Sequence, residues 1–96
     1  MSDTRELILT ITHPSGLHLR PAALFVKTAA RYQSQLTITN LSRPSSIEVD
    51  AKSMFGVMQI GVSQGHKVRL SASGPDAKEA LSALERLVQS NFEADR

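Results

Sequence analysis

The chain of 96 residues contains no cysteine and no tryptophan, and it has one tyrosine and three phenylalanines. The absence of cysteine excludes disulfides, thiolate metal ligands and thiol chemistry. So few aromatic side chains argue against a surface that stacks nucleic-acid bases, and a formal net charge of +2 is too small to indicate nucleic-acid binding. We therefore expect no nucleic-acid partner, no metal site and no cofactor.

The sequence also lacks a long apolar run. No stretch approaches the ~20 apolar residues that a membrane helix requires, and residues 1–6 contain no hydrophobic segment of a signal peptide. With 41% hydrophobic residues, the chain can nevertheless form a packed globule. We expect one small cytoplasmic domain over residues 1–96, without membrane insertion.

Hydrophobic periodicity predicts seven elements in the order β-α-β-β-α-β-α. Apolar residues alternate as in strands over residues 5–12, 35–40, 47–50 and 66–72. Helical spacing is found over residues 19–32, 54–59 and 77 to about 88. This pattern indicates an α+β fold in which helices cover one face of an antiparallel sheet. By itself, the pattern does not separate this architecture from a ferredoxin-like fold.

The segment from Ser15 to Ala23 joins the first strand to the first helix and carries the main candidate for chemistry. Pro21 is favoured in the first turn of a helix, so His18 should lie beside orphan backbone N–H groups and the positive end of the helix dipole. Arg20 adds a planar cation suited to phosphate. An imidazole in this setting can be a nucleophile whose phosphorylated form is stabilised by its surroundings. Position alone leaves open that His18 is only a surface or capping residue.

Other polar residues have simpler interpretations. His13 precedes a proline and has no nearby cation in sequence, so we expect it to be exposed. His66 is interpreted as an ordinary surface residue at the start of a strand. Asp76, with Glu79 three residues later, is typical of a capping box. Residues 91–96 are expected to form a frayed polar tail.

Two motifs carry a family resemblance. Gly16-Leu17-His18-Leu19-Arg20-Pro21-Ala22 resembles the G-[aliphatic]-H-x-R-P-A signature of the HPr family, the histidine-containing phosphocarriers of the bacterial sugar phosphotransferase system. Lys52-Ser53-Met54-Phe55-Gly56-Val57-Met58 resembles the family's regulatory-serine segment. The similarity extends over roughly residues 7–88. It implies an HPr-like open-faced β-sandwich, in which three helices cover one face of a four-stranded antiparallel sheet.

The resemblance implies a stoichiometric phosphocarrier and not an enzyme. His18 would accept a phosphoryl group on Nδ1 from phosphorylated enzyme I, itself charged by phosphoenolpyruvate, and pass it to IIA components of sugar permeases. Arg20 and the backbone N–H groups would neutralise the phosphate. Ser15, Gly16 and Leu19 would form the loop that stabilises it. Leu19 departs from the small or hydroxyl residue usual after the family's histidine, which leaves partner choice open.

The second motif implies regulation and docking. Ser53 matches the serine that an HPr kinase/phosphorylase modifies in some bacteria, although a role as a helix N-cap would also account for it. Met54, Phe55 and Met58 would form the apolar part of a docking patch, with burial in the core as the alternative interpretation. Lys27 would add positive charge for acidic partners, unless it belongs only to a solvated basic face. A transcription regulator is a further candidate partner, and we expect a monomer.

Other functions stay open. Some HPr-like chains act as regulatory docking modules, although these typically lack the histidine. HPr-like carriers also serve nitrogen-related phosphorelays or dihydroxyacetone kinases, and the sequence does not separate these from sugar uptake. The loop over residues 41–46 is longer than usual for the family, and we expect only a local change there.

Overall fold

The computed structural model describes residues 4–93, which form one sheet and three helices. The elements are β1 (Thr4–Thr10), α1 (Leu19–Ala29), β2 (Gln35–Asn40), β3 (Val49–Asp50), α2 (Met54–Gln59), β4 (Lys67–Ser73) and α3 (Ala77–Gln89). The predicted order β-α-β-β-α-β-α and the α+β class are confirmed. None of these helices is long and apolar enough to span a membrane within the described range.

The sheet is antiparallel and has the strand order β1-β4-β2-β3. The last strand of the chain, β4, lies between β1 and β2, so that Leu70 pairs with Leu7 on one side and with Ile38 on the other. Alternate residues of these strands point to a core that they share with Phe25 of α1 and Leu84 of α3. One face of the sheet is thus covered by helices, as predicted.

Two predicted elements are shorter than expected: α1 ends early and β3 begins late. α1 stops at Ala29 and not at residue 32, because the N–H groups of Arg31 and Tyr32 bond to carbonyls three residues back, in a tighter turn. β3 comprises only Val49 and Asp50, since the preceding Ile47 is 59% exposed and has no place in the ladder. These differences affect the boundaries and leave the topology unchanged.

The predicted capping box at the start of α3 is wrong. Asp76 occupies the N-cap position, but its side chain makes no capping hydrogen bond. Its carboxylate accepts hydrogen bonds from the N–H groups of Gln33 and Ser34, both at 2.9 Å, and from the Ser34 hydroxyl. Asp76 therefore ties the β4–α3 turn to the α1–β2 connection. The hydrogen bond from the Ser34 hydroxyl is the largest cause of a lowered pKa of Asp76, followed by that from Gln33.

The predicted frayed tail is also wrong as far as residue 93. Asn91 and Phe92 are left-handed, with φ of 54° and 65°. Their N–H groups bond to the carbonyls of Val88 (3.0 Å) and Leu87 (2.8 Å), which closes α3 in a Schellman motif. Phe92 is buried and its ring meets that of His13 edge-on at 5.7 Å. Residues 94–96 lie outside the described residues.

Candidate functional site

The β1–α1 loop is held in place through its backbone. Gly16 has a φ of +58°, and a Cβ there would overlap the carbonyl oxygen of Val62. The next N–H, that of Leu17, donates to this same carbonyl at 3.0 Å, and the Leu17 side chain is buried. Glycine is thus required for the loop to approach the segment after α2 so closely. The buried Leu17 fixes the start of α1 relative to the core.

His18 is the N-cap residue of α1, with extended backbone angles of −76° and −170°. Its carbonyl accepts the N–H of Ala22 at 2.8 Å, and its own N–H donates to the Ser15 carbonyl at 3.2 Å. The imidazole is exposed and makes no capping hydrogen bond. The backbone of His18 is therefore ordered while its ring is accessible to a partner.

The first turn of α1 leaves two N–H groups without a partner. These belong to Leu19 and Arg20, neither of which finds an acceptor within residues 4–93, whereas Pro21 has no N–H. The first turn contains no acidic residue, so an anion beside His18 would meet no nearby carboxylate on this helix. The helix dipole and the exposed Arg20 guanidinium both favour an anion at this position. The start of α1 is thus suited to bind a phosphate group.

Arg20 also borders an open groove with a volume of about 820 Å³. The groove lies between the start of α1 and the end of α3, and His13 and Phe92 form part of its wall. His13 is half-buried, with Nδ1 accepting the N–H of Ser15 at 3.0 Å. The expectation of an exposed His13 is therefore wrong, because its ring braces the loop and packs on Phe92.

Ser53 is the N-cap residue of α2, and its hydroxyl accepts the N–H of Gly56 at 3.1 Å. The interpretation of Ser53 as a helix N-cap is thus confirmed, and its regulatory role stays a prediction. Just before it, the Lys52 ammonium donates to the carbonyl of Tyr32 at 2.6 Å, which attaches the start of α2 to the end of α1. The position of Ser53 is therefore fixed from both sides.

The apolar residues of α2 divide between core and surface. Val57 is buried, and Met54 is half-buried against the core. Phe55 is 78% exposed and Met58 40% exposed, and on the adjoining α1 Leu19 is 68% exposed. Isolated exposed apolar residues are common, so exposure alone does not decide whether these three side chains, on two contacting helices, form a docking patch.

The structure thus groups Ser15, Gly16, His18, Leu19 and Arg20 in one loop and helix start. Lys27 lies exposed in the last turn of α1, away from this group. Residues 4–93 contain no cluster of three or more His, Asp or Glu side chains that could hold a metal ion.

Sequence reasoning missed the residues behind the loop. Val62, whose carbonyl receives the loop, has no distinguishing sequence signal. Asn40 and His66 gave a weak sequence signal: Asn40 is a polar residue at the end of the alternating pattern of β2, and His66 is a histidine just before β4. His66 is half-buried and hydrogen-bonded, so its interpretation as an ordinary surface residue is wrong.

Comparison with known proteins gives consistent similarities. Residues 6–90 match the family model described as PTS HPr component phosphorylation site. The chain is 40% identical to Phosphocarrier protein HPr of Treponema pallidum over 85 residues, covering 88% of this chain and 92% of that protein. It is also 40% identical over 79 residues to the Multiphosphoryl transfer protein of Haemophilus influenzae, covering 82% of this chain but only 16% of that protein. Among solved structures, HPr-C-His from Thermoanaerobacter tengcongensis superposes with a TM-score of 0.85 at 43% identity, covering 96% of this chain and 99% of that one.

Proposed function

The chain belongs to the HPr family of phosphocarrier proteins, and we propose that it carries a phosphoryl group on His18 between phosphorylated enzyme I and IIA components of sugar permeases. The observation that supports this is an exposed imidazole at the N-cap of α1, next to two N–H groups that lack acceptors within the described chain. In this proposal the protein is a stoichiometric carrier, not an enzyme, and acts as one domain in the cytoplasm.

We place the phosphoryl group on Nδ1 of His18. Nδ1 is as many bonds from Cα as the Oδ1 of an asparagine, and N-cap asparagines reach the N–H groups of the first turn with that atom. A phosphoryl group on Nδ1 therefore lies near the N–H groups of Leu19 and Arg20. In the transfer, the Nδ1 lone pair attacks phosphorus while the bond from phosphorus to the donor breaks. The electron pair of the broken bond stays with the donor.

The strength of phosphate binding at this site suits a carrier. Hydrogen bonds to a charged group contribute about 1.5–3 kcal/mol each, and the helix dipole adds about 0.3–1 kcal/mol at an exposed site. Because the Arg20 guanidinium is exposed, solvent and salt screen its charge. The phosphoryl group is stabilised but stays reachable, so that the next protein in the relay can remove it.

We propose that partners dock on the surface formed by α1 and α2 beside His18. Leu19, Phe55 and Met58 supply exposed apolar area, and methionine adapts its shape to different partners. Met54 contributes the half-buried base of this surface. Lys27, exposed in the last turn of α1, would favour partners with acidic surfaces. Because enzyme I and IIA components would use this surface in turn, we expect a monomer that presents it freely.

Phosphorylation of Ser53 by an HPr kinase/phosphorylase would regulate this docking. It adds about −1.5 to −2 charges at the start of α2, next to the exposed Phe55. The helix tolerates a negative charge at its N-terminus, whereas an acidic partner is repelled by it. Ser53→Asp should weaken enzyme I binding, while Ser53→Asn, which keeps a capping oxygen without charge, should not. Equal binding by both variants would contradict the regulatory role.

Intact-mass spectrometry after incubation with phosphoenolpyruvate and enzyme I tests the carrier role. The wild type should gain one acid-labile phosphoryl group, and His18→Gln should gain none. The variants His13→Gln and His66→Gln are matched controls that remove the other two histidines and should still be phosphorylated. If the wild type gains nothing, or if His18→Gln is still phosphorylated on histidine, the assignment is wrong and a regulatory docking module becomes the better explanation.

A further inference from the structure

Behind the His18 loop, a buried asparagine and a histidine hold the segment 60–66 in place. Asn40, the last residue of β2, is 1% exposed. Its side-chain amide donates to the Ile60 carbonyl at 3.1 Å and lies 3.1 Å from Nδ1 of His66. The amide oxygen accepts the N–H of Ser42 at 3.0 Å, which fixes the orientation of the group. Asparagine is unusual in strands, and both the nitrogen and the oxygen of the Asn40 side-chain amide have hydrogen-bond partners.

His66 serves as an acceptor in this network. Its Nδ1 faces both the side-chain amide of Asn40 and the N–H of Ser63, each at 3.1 Å. Both partners are donors, so Nδ1 carries no proton and the proton of the neutral ring is on Nε2. The backbone N–H of His66 donates to the Ser63 carbonyl at 3.0 Å. His66 thereby closes the turn over residues 63–66 with its ring as well as its backbone.

The segment held in this way is the one on which the His18 loop rests. The Val62 carbonyl, between the two points attached to Asn40 and His66, accepts the N–H of Leu17 at 3.0 Å. Gly16 packs so closely on Val62 and Ser63 that no side chain fits there. A shift of segment 60–66 must therefore be transmitted to Leu17, and from there to the backbone of His18.

We propose that Asn40 and His66 are positioning residues for His18, acting through the Val62 carbonyl and the Leu17 N–H. This inference rests on the proposed function, because the geometry of His18 is assumed to set the rate of phosphoryl transfer. Neither residue touches the phosphoryl group. Each holds segment 60–66 in place, and through the Leu17 N–H this segment positions the backbone of His18 at the start of α1.

The test compares His66→Leu, which removes the acceptor, with His66→Asn, whose Oδ1 restores an acceptor at the position of Nδ1. His66→Leu should slow phosphoryl transfer from enzyme I by about tenfold, less than the ~10²-fold that a misplacement of about 1 Å can cost. It should also shift the amide NMR signals of Leu17 and His18. His66→Asn should restore both the rate and the signals. Should His66→Leu not fold, His66→Gln moves the acceptor by one bond and should give smaller changes in the same direction.

Asp76→Asn is the control for a general loss of stability, since it weakens the contact to Ser34 beyond the opposite end of α1. It should lower the melting temperature and leave transfer unchanged. The proposal is overturned if His66→Leu transfers at the wild-type rate, if His66→Asn fails to rescue it, or if Asp76→Asn slows transfer equally. If even the wild type is not phosphorylated, the proposed function fails instead. The NMR signals of Leu17 then still decide whether His66 positions the loop.

Discussion

Replacing Gly16 by alanine tests whether the loop before His18 depends on its close approach to the segment after α2. Two costs are expected. Gly16 has a φ of +58°, and this left-handed conformation costs an alanine about 1–2 kcal/mol. The new Cβ would also overlap the Val62 carbonyl oxygen and lie 2.8 Å from Ser63 Cα. Both neighbours are backbone atoms that cannot rotate away, and such overpacking costs about 1–3 kcal/mol.

Alanine also restricts the unfolded chain, which returns about 0.4–1 kcal/mol. The net loss in the free energy of unfolding for Gly16→Ala is then about 1–4.5 kcal/mol. For a domain of this size each kcal/mol corresponds to about 4–8 °C, so a loss near the middle of this range, about 3 kcal/mol, should lower the melting temperature by roughly 12–24 °C. Because Leu17 donates to the displaced carbonyl, phosphoryl transfer through His18 should slow as well.

Gly65→Ala is the matched control. Gly65 also has a positive φ, +89°, but a Cβ there would meet no atom within 4 Å. It should therefore show only the conformational cost, about 0–1.5 kcal/mol after the gain in the unfolded state. Urea denaturation of the two variants measures the difference. Equal losses of stability would show that the Val62 carbonyl yields freely, and would refute the argument that this contact fixes the loop.

Three further predictions concern single side chains. Arg20→Ala should slow phosphoryl transfer by about tenfold, because the exposed guanidinium is screened and contributes about 1.5 kcal/mol, the lower end for a hydrogen bond to a charged group. The melting temperature should be unchanged, and unaltered kinetics would make Arg20 only a surface charge. Ser53→Ala should cost about 1 kcal/mol in urea denaturation through loss of the cap on the Gly56 N–H; no loss would mean that water replaces it. Asp76 has a pKa below its ordinary value of 3.8, so its stabilising effect is present above that pH and is lost as the pH falls through the lowered pKa. Acid titration of stability should therefore be steeper for the wild type than for Asp76→Asn, and identical curves would contradict the assignment.

The fold was largely predictable because its signals are local. Strands such as β2 alternate strictly, and the N-cap serine of α2 stands where the helix begins. The boundaries that failed depend on contacts that periodicity does not record. β3 is short because nothing pairs with Ile47, and α3 ends in an ordered motif because Phe92 finds a buried place against His13.

The position of the candidate site at a helix start was predictable, but the residues that support the site were not. His18 and Arg20 could be placed at the start of α1 because a helix start depends on neighbouring residues such as Pro21, and their chemistry stays a prediction. The role of Asp76 could not, because its partners Gln33 and Ser34 are more than 40 residues away in sequence. The same holds for Asn40 and His66. A capping box is the simpler explanation of Asp76 when only neighbouring residues are visible, and long-range hydrogen bonds displaced it.

Pro21 has a consequence for the proposed carrier that goes beyond starting a helix. As the third residue of α1 it is buried and has no N–H, so an anion at His18 finds only the N–H groups of Leu19 and Arg20. A third N–H would add about 1.5–3 kcal/mol of phosphate binding, equivalent to more than tenfold in the equilibrium for passing the phosphoryl group on. A relay protein must release its cargo as readily as it accepts it. In the proposed carrier, Pro21 in the first turn of α1 would therefore also limit how tightly a phosphoryl group on His18 is held.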